Sequence, residues 1–573
     1  MSQKTLATCT VAEAYLQLLS DRGIDYLFAN AGTDFAPLIE AYAKLQGEGV
    51  QVPTPVTVPH ENVAVHMATG YFLGSGRMQA AMVHVNVGTG NSVCGLLNAW
   101  RGNIPVLFSA GRTPFSEEGG LLGARTGEIH WPQEMRDQGA MTREFTKWDY
   151  ELPNAEVLEA TVDRAITMAT AEPAGPVYLR LPREVLARAA DGFSYSSPTR
   201  RHVPSPAYPN PAAIERAADM LAQAENPMIV TASSGRTAAE VAAMGRLASA
   251  GVIPVYQRKP RYVALETDHA MHFGYTPEDR LQQADVIVVV ESDVPWIPNK
   301  KSPKPDCQVI QISMDPMYSA YPLRGFPGDV SIAGSTAASL NALADALEER
   351  AGKAAGRLDA RRRRLGEERG LQREKWAAAV GKGRGETPMH PAWITHCIEQ
   401  VRGRDGILIK ESPVAFEQMN FSQAGTMFSV GAAGALGWGL GTALGVKMAQ
   451  PGRTVIATCG DGAYMFGNPI PAHYVAKAEK LPILTVVFNN EMWGAVKRNT
   501  HEVYPTGHAA RSNREPLTYF EPGISRFEKA VEVADGYGER VADPAELPKA
   551  LDRAMKAIAD GRQALLNVIC KGP

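Results

Sequence analysis

The chain is poor in cysteine, in net charge and in long apolar runs, and each shortage removes a class of protein. Its six cysteines (Cys9, Cys94, Cys307, Cys397, Cys459 and Cys570) are scattered over 573 residues. None pairs with another at CxxC spacing, so they form neither a zinc cluster nor a disulfide framework. They read as reduced, buried thiols of a cytoplasmic protein. A formal net charge of −3 gives no field that would gather nucleic acid or an anionic membrane. No run approaches the about 18 apolar residues of a membrane span, so no membrane partner is expected. The first residues, MSQKTLATCTVAEAYLQLL, have no basic segment followed by a long apolar one, and no secretory signal is read there.

What is present is a globular composition, 45% apolar and 21% charged, typical of chains that fold around packed cores. At roughly 100–200 residues per domain, the length implies about three or four domains rather than one core. Three blocks alternate amphipathic helices with short apolar strands. Residues 1–185 carry the helix TVAEAYLQLLSDRG and the strands AAMVHV, PVLFSAG and GPVYLRLP. Residues 205–345 carry PMIVTA, ADVIVVV and CQVIQI, and residues 389–573 alternate in the same way. Between the first two blocks, SSPTRRHVPSPAYPNP, from Ser196, is rich in proline and serine and reads as a linker. Residues 346–388 include AGKAAGRLDARRRRLGEERGLQREKW. Its interleaved charges suit a solvated helix joining domains better than a polybasic binding patch. Strands separated by helices predict an α/β fold of three doubly wound parallel-sheet domains, with ligands at the carboxyl ends of the strands.

The third block holds the most specific pattern. TVIATC (454–459) reads as a buried strand, GDG ends it, PAHYVAKAEK can form a helix, and LPILTVVF is a second strand running into Asn489 and Asn490. Asp461 and the two asparagines therefore fall at carboxyl ends of strands. A carboxylate and an amide oxygen are hard ligands that suit Mg²⁺, which completes its shell with water and phosphate oxygens. Gly460 and Gly462 let the backbone approach a phosphate closely. Alone, GDG is an ordinary turn; with strand, helix, strand and Asn-Asn behind it, the pattern is far more specific.

This stretch resembles the thiamine-diphosphate motif of the pyruvate decarboxylase and acetolactate synthase superfamily. The resemblance implies that the three blocks are a pyrimidine-binding, a central and a diphosphate-binding domain. It implies that Asp461 and Asn490 hold Mg²⁺ through their side chains, that Met492 adds its backbone carbonyl, and that the metal carries the diphosphate of thiamine diphosphate. Ser412, in IKESPVAFEQM (409–419), matches the segment entering the diphosphate site. GAAGALGWGLGTALG (431–445) resembles the segment that keeps the cofactor bent, with Leu436 as the wedge and the Gly434 carbonyl accepting from the 4′-amine. In TVPHENVAVHMATGYF (57–72), Glu61 matches the glutamate that bonds N1′ of the aminopyrimidine and so promotes loss of the C2 proton. Read by itself, Glu61 is also an ordinary acidic residue at a helix N-terminus.

For the substrate, local motifs most resemble the benzoylformate decarboxylase family. VHVNVGTGNSVCGLLNAW (83–100) places an active-site histidine at His84, a residue type that relays protons near neutral pH. NAGTDF (30–35) puts Thr33 where a substrate-carboxylate hydroxyl is expected, and GAVK (494–497) makes Ala495 and Val496 a pocket wall pointing inward. The chain also departs from that family. Where a second histidine is expected in the central domain, ESDVPWIPNKKSP (291–303) has none, and Trp296 falls in that neighbourhood; Pro413 and Val414 stand where hydroxyls are expected. IHWPQEMRDQ (129–138) instead resembles the acetolactate synthase segment carrying a pocket glutamine, here Gln133. No flavin segment is recognised, so FAD is not expected.

The resemblance thus implies a decarboxylase or carboligase acting on a 2-oxo acid or related carbonyl compound through ylid and enamine intermediates. The alternatives are an acetolactate synthase-like enzyme, a lyase of acyl-CoA thioesters, and a non-catalytic fold relative. Glu61 and Asp461 lie in different domains, and the resemblance implies a homodimer or homotetramer with active sites at the subunit interface.

Overall fold

The strand and helix alternation closes into three parallel α/β sheets in the computed structural model, which describes residues 2–431 and 433–572. Met1, Ala432 and Pro573 lie outside the described residues. The first sheet has six strands in the order Thr54–Thr57, Tyr26–Asn30, Ala80–Val83, Leu107–Arg112, Val177–Pro182, Asp149–Glu151. The central sheet has five, in the order Val255–Gln257, Pro227–Thr231, Val286–Val290, Gln308–Ser313, Val330–Ala333. The third has six, in the order Met427–Ser429, Ile407–Glu411, Val455–Gly460, Leu484–Asn489, Ala564–Ile569, Tyr537–Val541. All neighbours within these sheets are parallel.

All three share one winding. The second strand of each unit lies on one side of the first, and the third crosses to the other side. That reversal opens a crevice at the carboxyl ends of the first and third strands, where α/β sheets bind ligands. In the first sheet the crevice follows Asn30 and Val83; in the third it follows Glu411 and Gly460. Central strands such as Val286–Val290 and Leu484–Asn489 are buried along their whole length, which explains why they read as continuous apolar runs rather than alternating ones.

Glycine joins the first and third domains. The helix Glu61–Ser75 packs against the helix Trp438–Ala449. A Cβ at Gly70 would overlap the Thr442 carbonyl, and one at Gly445 would overlap the Met67 carbonyl. A Cβ at Gly441 would lie 2.7 Å from that of His66. The two backbones approach this closely only because these positions lack side chains.

Two connecting segments differ from their sequence reading. The start of the proline-rich stretch is a strand, Phe193–Ser197, which pairs antiparallel with Ser2–Leu6. The charged stretch expected at 346–388 belongs to one 48-residue helix, Thr336–Gly383, which begins inside the central unit. It docks through an apolar stripe that includes Leu340, Leu343, Leu347, Leu358 and Leu365, packed in or against the central core, and through arginines. Arg357 donates to the Gln223 carbonyl (3.2 Å), Arg361 to the Gly251 carbonyl (2.8 Å) and Arg369 to the Asp268 carbonyl (2.8 Å). Their aliphatic stems cover the surface beneath and add to the buried side of the charged stretch. Among the described residues no helix is long and apolar enough to cross a membrane.

Candidate active site

The strand Val455–Gly460 delivers Asp461 to the crevice of the third sheet, where it starts the helix Asp461–Phe466. Its carboxylate is buried. One oxygen accepts from the Gly462 N–H (2.7 Å) and the other from the Asn490 N–H (3.0 Å), across the adjacent strand end. Burial raises the pKa of this carboxyl, while the N–H groups of Gly462, Glu491, Asn490 and Met492 oppose that rise. A Cβ at Gly462 would overlap the Trp493 ring, so the second glycine lets this indole close over the turn.

The two asparagines do different work. Asn489 points inward, donating to Asn567 Oδ1 on the neighbouring strand (3.0 Å) and accepting from the Glu491 N–H (3.1 Å). Asn490 follows the strand end, and its Oδ1 accepts from the Met492 N–H (3.2 Å). Glu491 turns the chain with a φ of 54°. The Met492 carbonyl accepts from the Gly494 N–H (3.0 Å). Across the crevice Ser412 follows the strand Ile407–Glu411, and its buried hydroxyl has no partner among the described residues.

Beside this cluster runs the loop before the Trp438–Ala449 helix. Gly434 is exposed with a φ of 61°, and Gly437 has a φ of 81°; both values favour glycine. Asn98 grips the peptide between them: its Nδ2 donates to the Ala435 carbonyl (2.8 Å) and its Oδ1 accepts from the Ala435 N–H (3.2 Å). Leu436, next in the chain, is half-buried. Glu411 caps the following helix by accepting from the Trp438 N–H (3.1 Å) and the Gly439 N–H (2.7 Å). Burial pushes its carboxyl up to about 7.

The first sheet presents a second cluster. Glu61 is buried at the first turn of its helix, and one of its oxygens accepts from Asn91 Nδ2 (3.1 Å). His84 directly follows the strand Ala80–Val83, and its Nδ1 lies 2.5 Å from Asp34 Oδ1. This contact raises the histidine's pKa, with burial opposing it. His130, buried in the loop after the fourth strand, has its pKa lowered by burial, by Arg183 and Arg125, and by His84 itself. Gln138 is buried too and donates to the Gly111 carbonyl (2.9 Å) and the Tyr178 hydroxyl (2.7 Å).

The structure therefore gathers Ser412, Gly460, Asp461, Gly462, Asn490 and Met492 at one crevice, and Glu61 and His84 at another. Other expected residues sit apart. Thr33 is exposed beside Asp34, and Gln133 is half-buried in the loop that carries His130. Trp296 is packed in the central core, edge-on to Phe326 with ring centroids 5.3 Å apart. Ala495 and Val496, expected to point inward, are exposed on the helix Gly494–Val503. That helix buries none of its residues within the chain, so its first turn has no core to face. Asp34, Asn98, Gln138, His130 and Glu411 carry the geometry but were given no role from the sequence. All five lie inside quoted motifs, in the same stretches as the residues chosen there.

These residues fit a diphosphate-bound Mg²⁺. A buried carboxylate held only by backbone N–H groups, an adjacent amide and an orphan hydroxyl at one strand-end crevice form an oxygen-rich donor set for a hard cation and its phosphate. Among the described residues no cluster of three or more His, Cys, Asp or Glu side chains offers a competing metal site.

Three family descriptions match the chain: thiamine pyrophosphate enzyme, N-terminal TPP binding domain, over residues 9–141; central domain, over 214–343; and C-terminal TPP binding domain, over 412–568. They cover most of its length, and the protein belongs to the thiamine pyrophosphate enzyme family. Benzoylformate decarboxylase of Pseudomonas aeruginosa is 28% identical over 85% of this chain and 87% of its own. Acetolactate synthase isozyme 3 large subunit of Escherichia coli is 25% identical over 98% and 95%. Among solved structures, the thiamine diphosphate-dependent 4-hydroxybenzoylformate decarboxylase of Rhodococcus jostii superposes with a TM-score of 0.75 over 99% of this chain and 100% of that one, at 22% identity.

Proposed function

We propose that the protein is a thiamine-diphosphate- and Mg²⁺-dependent enzyme that decarboxylates a 2-oxo acid and either releases an aldehyde or passes the remaining unit to a second carbonyl compound. The observation that carries this reading is the buried Asp461 carboxylate, held by the Asn490 backbone across the crevice from the unpartnered Ser412 hydroxyl.

When bound, thiamine diphosphate supplies a thiazolium that accepts the electron pair left by departing carbon dioxide. The chain's own residues do the rest. Asp461, the Asn490 side chain and the Met492 carbonyl bind the metal, and Ser412 donates to the diphosphate. Gly434 and Leu436, fixed through Asn98, set the shape of the cofactor pocket. Glu61 holds the aminopyrimidine, and its burial keeps water from competing for that bond. His84 keeps a proton beside the substrate, while Thr33 and Gln133 offer a hydroxyl and an amide to the substrate carboxylate.

A second copy of the chain completes the site in a homodimer or homotetramer. Met465, Phe466, Ile470 and Tyr474, on the helix that Asp461 starts and the one after it, are large apolar side chains left exposed in one chain. Apolar surface grouped like this is what a subunit interface covers. A catalytically active monomer by light scattering at assay concentration contradicts this assembly.

The functional test is a panel of 2-oxo acids, with and without aldehyde acceptors, following carbon dioxide and organic product together. Carbon dioxide with an aldehyde supports a decarboxylase, and acetolactate from pyruvate supports the synthase-like alternative. No carbon dioxide from any member of the panel contradicts both.

A further inference from the structure

Three strand ends of the first sheet converge on Asp34. The residue lies in the turn after Tyr26–Asn30 and is buried. One carboxylate oxygen faces His84 Nδ1 at 2.5 Å, and the other accepts from the Val85 N–H at 3.3 Å. Asp34 thus holds both the ring of His84 and the backbone that follows it. Two glycines make the room. A Cβ at Gly111, on the strand Leu107–Arg112, would overlap the Asp34 carboxylate, and a Cβ at Gly32 would overlap the His84 ring. Val85 adopts a φ of 30°, a strained value for a β-branched residue that persists only where surrounding structure enforces it. Backbone strain, two glycines and a buried carboxylate all serve the placement of one imidazole.

An ionised carboxylate can only accept, so a ring nitrogen this close to it carries the proton. Among the described residues no group hydrogen-bonds Nε2, the other ring nitrogen. The charged groups around the ring are Asp34 from its turn, Glu61 from the neighbouring helix and His130 from the loop after the fourth strand. Arg183, which lowers the pKa of His130, lies further out and donates to the Thr33 carbonyl (3.2 Å). The two carboxylates favour the imidazolium and burial opposes it; burial, Arg183, Arg125 and His84 lower the pKa of His130.

We propose that Asp34 is a positioning residue that fixes His84 in one orientation and keeps it protonated on both nitrogens, so that His84 acts through Nε2–H as the acid of the reaction. The inference rests on the functional reading above and deepens it. A chain without the central-domain histidine then has a resident proton donor in its first domain. The proton leaves Nε2 for the substrate-derived fragment, and solvent returns it. The Asp34 contact raises the His84 pKa, in the direction this role needs.

The test is a pH titration of ring signals in the full-length protein labelled at histidine, with the His84 signal assigned by its loss in His84→Gln. It is read without cofactor and again with thiamine diphosphate and Mg²⁺. In the wild type His84 should titrate above 6.5, with its Nδ1 proton retained in the neutral form. Asp34→Asn should lower that titration by about one pH unit, a tenfold loss of proton affinity, and should move the matching limb of the kcat profile to lower pH by the same amount. Cofactor affinity should not change. A wild-type His84 that titrates at or below 6.5, or that carries its neutral-form proton on Nε2, overturns the proposal even if the variant fails to fold. An unchanged titration in a folded Asp34→Asn protein overturns it as well. The expected titration with no turnover of any 2-oxo acid would overturn the functional reading, and with it the acid role, while the carboxylate–imidazole pair itself would stand.

Discussion

Asn98 of the first domain holds both sides of the Ala435 peptide in the third, donating to its carbonyl at 2.8 Å and accepting from its N–H at 3.2 Å. The grip falls between Gly434 and Leu436, the two residues proposed to shape the cofactor pocket. Asn98→Ala removes two partly buried hydrogen bonds worth about 1 kcal/mol each. Titration of the apoprotein with thiamine diphosphate at fixed Mg²⁺ should show binding weaker by up to roughly thirtyfold, since about 1.4 kcal/mol is a factor of ten. Unchanged affinity would mean that the loop keeps its shape without Asn98.

Asp461→Ala should abolish the Mg²⁺ dependence of cofactor binding in calorimetry. The loss should be at least the roughly 10–100-fold typical of weakening a metal site through its supporting groups. Gly462→Ala should act in the same direction without touching a ligand, because the new methyl must displace the Trp493 ring. Tryptophan fluorescence reports that displacement directly.

The close helix pair makes a prediction about stability. Gly70→Ala and Gly445→Ala each drive a methyl group into a carbonyl of the facing helix. Overpacking of this kind costs about 1–3 kcal/mol, and backbone has little freedom to give way. Both variants should unfold at lower temperature than wild type. Gly452→Ala, whose Cβ would meet nothing within 4 Å, serves as the control and should not.

Folding stability should also report the Asp34 contact. The pKa of His84 is raised in the folded protein above its ordinary 6.5, so folding favours the protonated ring. This contribution is complete below an unfolded-state value of about 6.5 and is lost as the pH rises through the folded value. Asp34→Asn removes its main cause. Urea unfolding of both proteins should show the wild type's advantage at its largest just below pH 6.5 and shrinking as the pH climbs through the folded value.

Much of the scaffold was legible because its signals are local. VIVVV and LTVVF are buried on both faces and could be read as strands from composition alone, and Asp461 and Asn490 follow from where such strands end. The rest depends on contacts that a linear reading does not display. Asp34 and His84 stand fifty positions apart and meet only because the sheet order places their strands side by side. Asn98 reaches a residue in another domain. The charged helix did not read as packed because charges outnumber its apolar positions, Leu347, Leu358 and Leu365, and because its arginines dock on backbone carbonyls. Ala495 and Val496 were expected to face inward, but the helix that carries them has nothing to pack against within one chain.

The most direct test of the account is hydrogen–deuterium exchange at C2 of thiamine diphosphate bound to the protein with Mg²⁺, followed by rapid quench and NMR. Exchange should be orders of magnitude faster than for the free cofactor, and Glu61→Gln should slow it at least a hundredfold, within the roughly 10²–10⁴ range of a positioned acid–base group, without loss of binding. Exchange at the free-cofactor rate in the native protein would contradict the account.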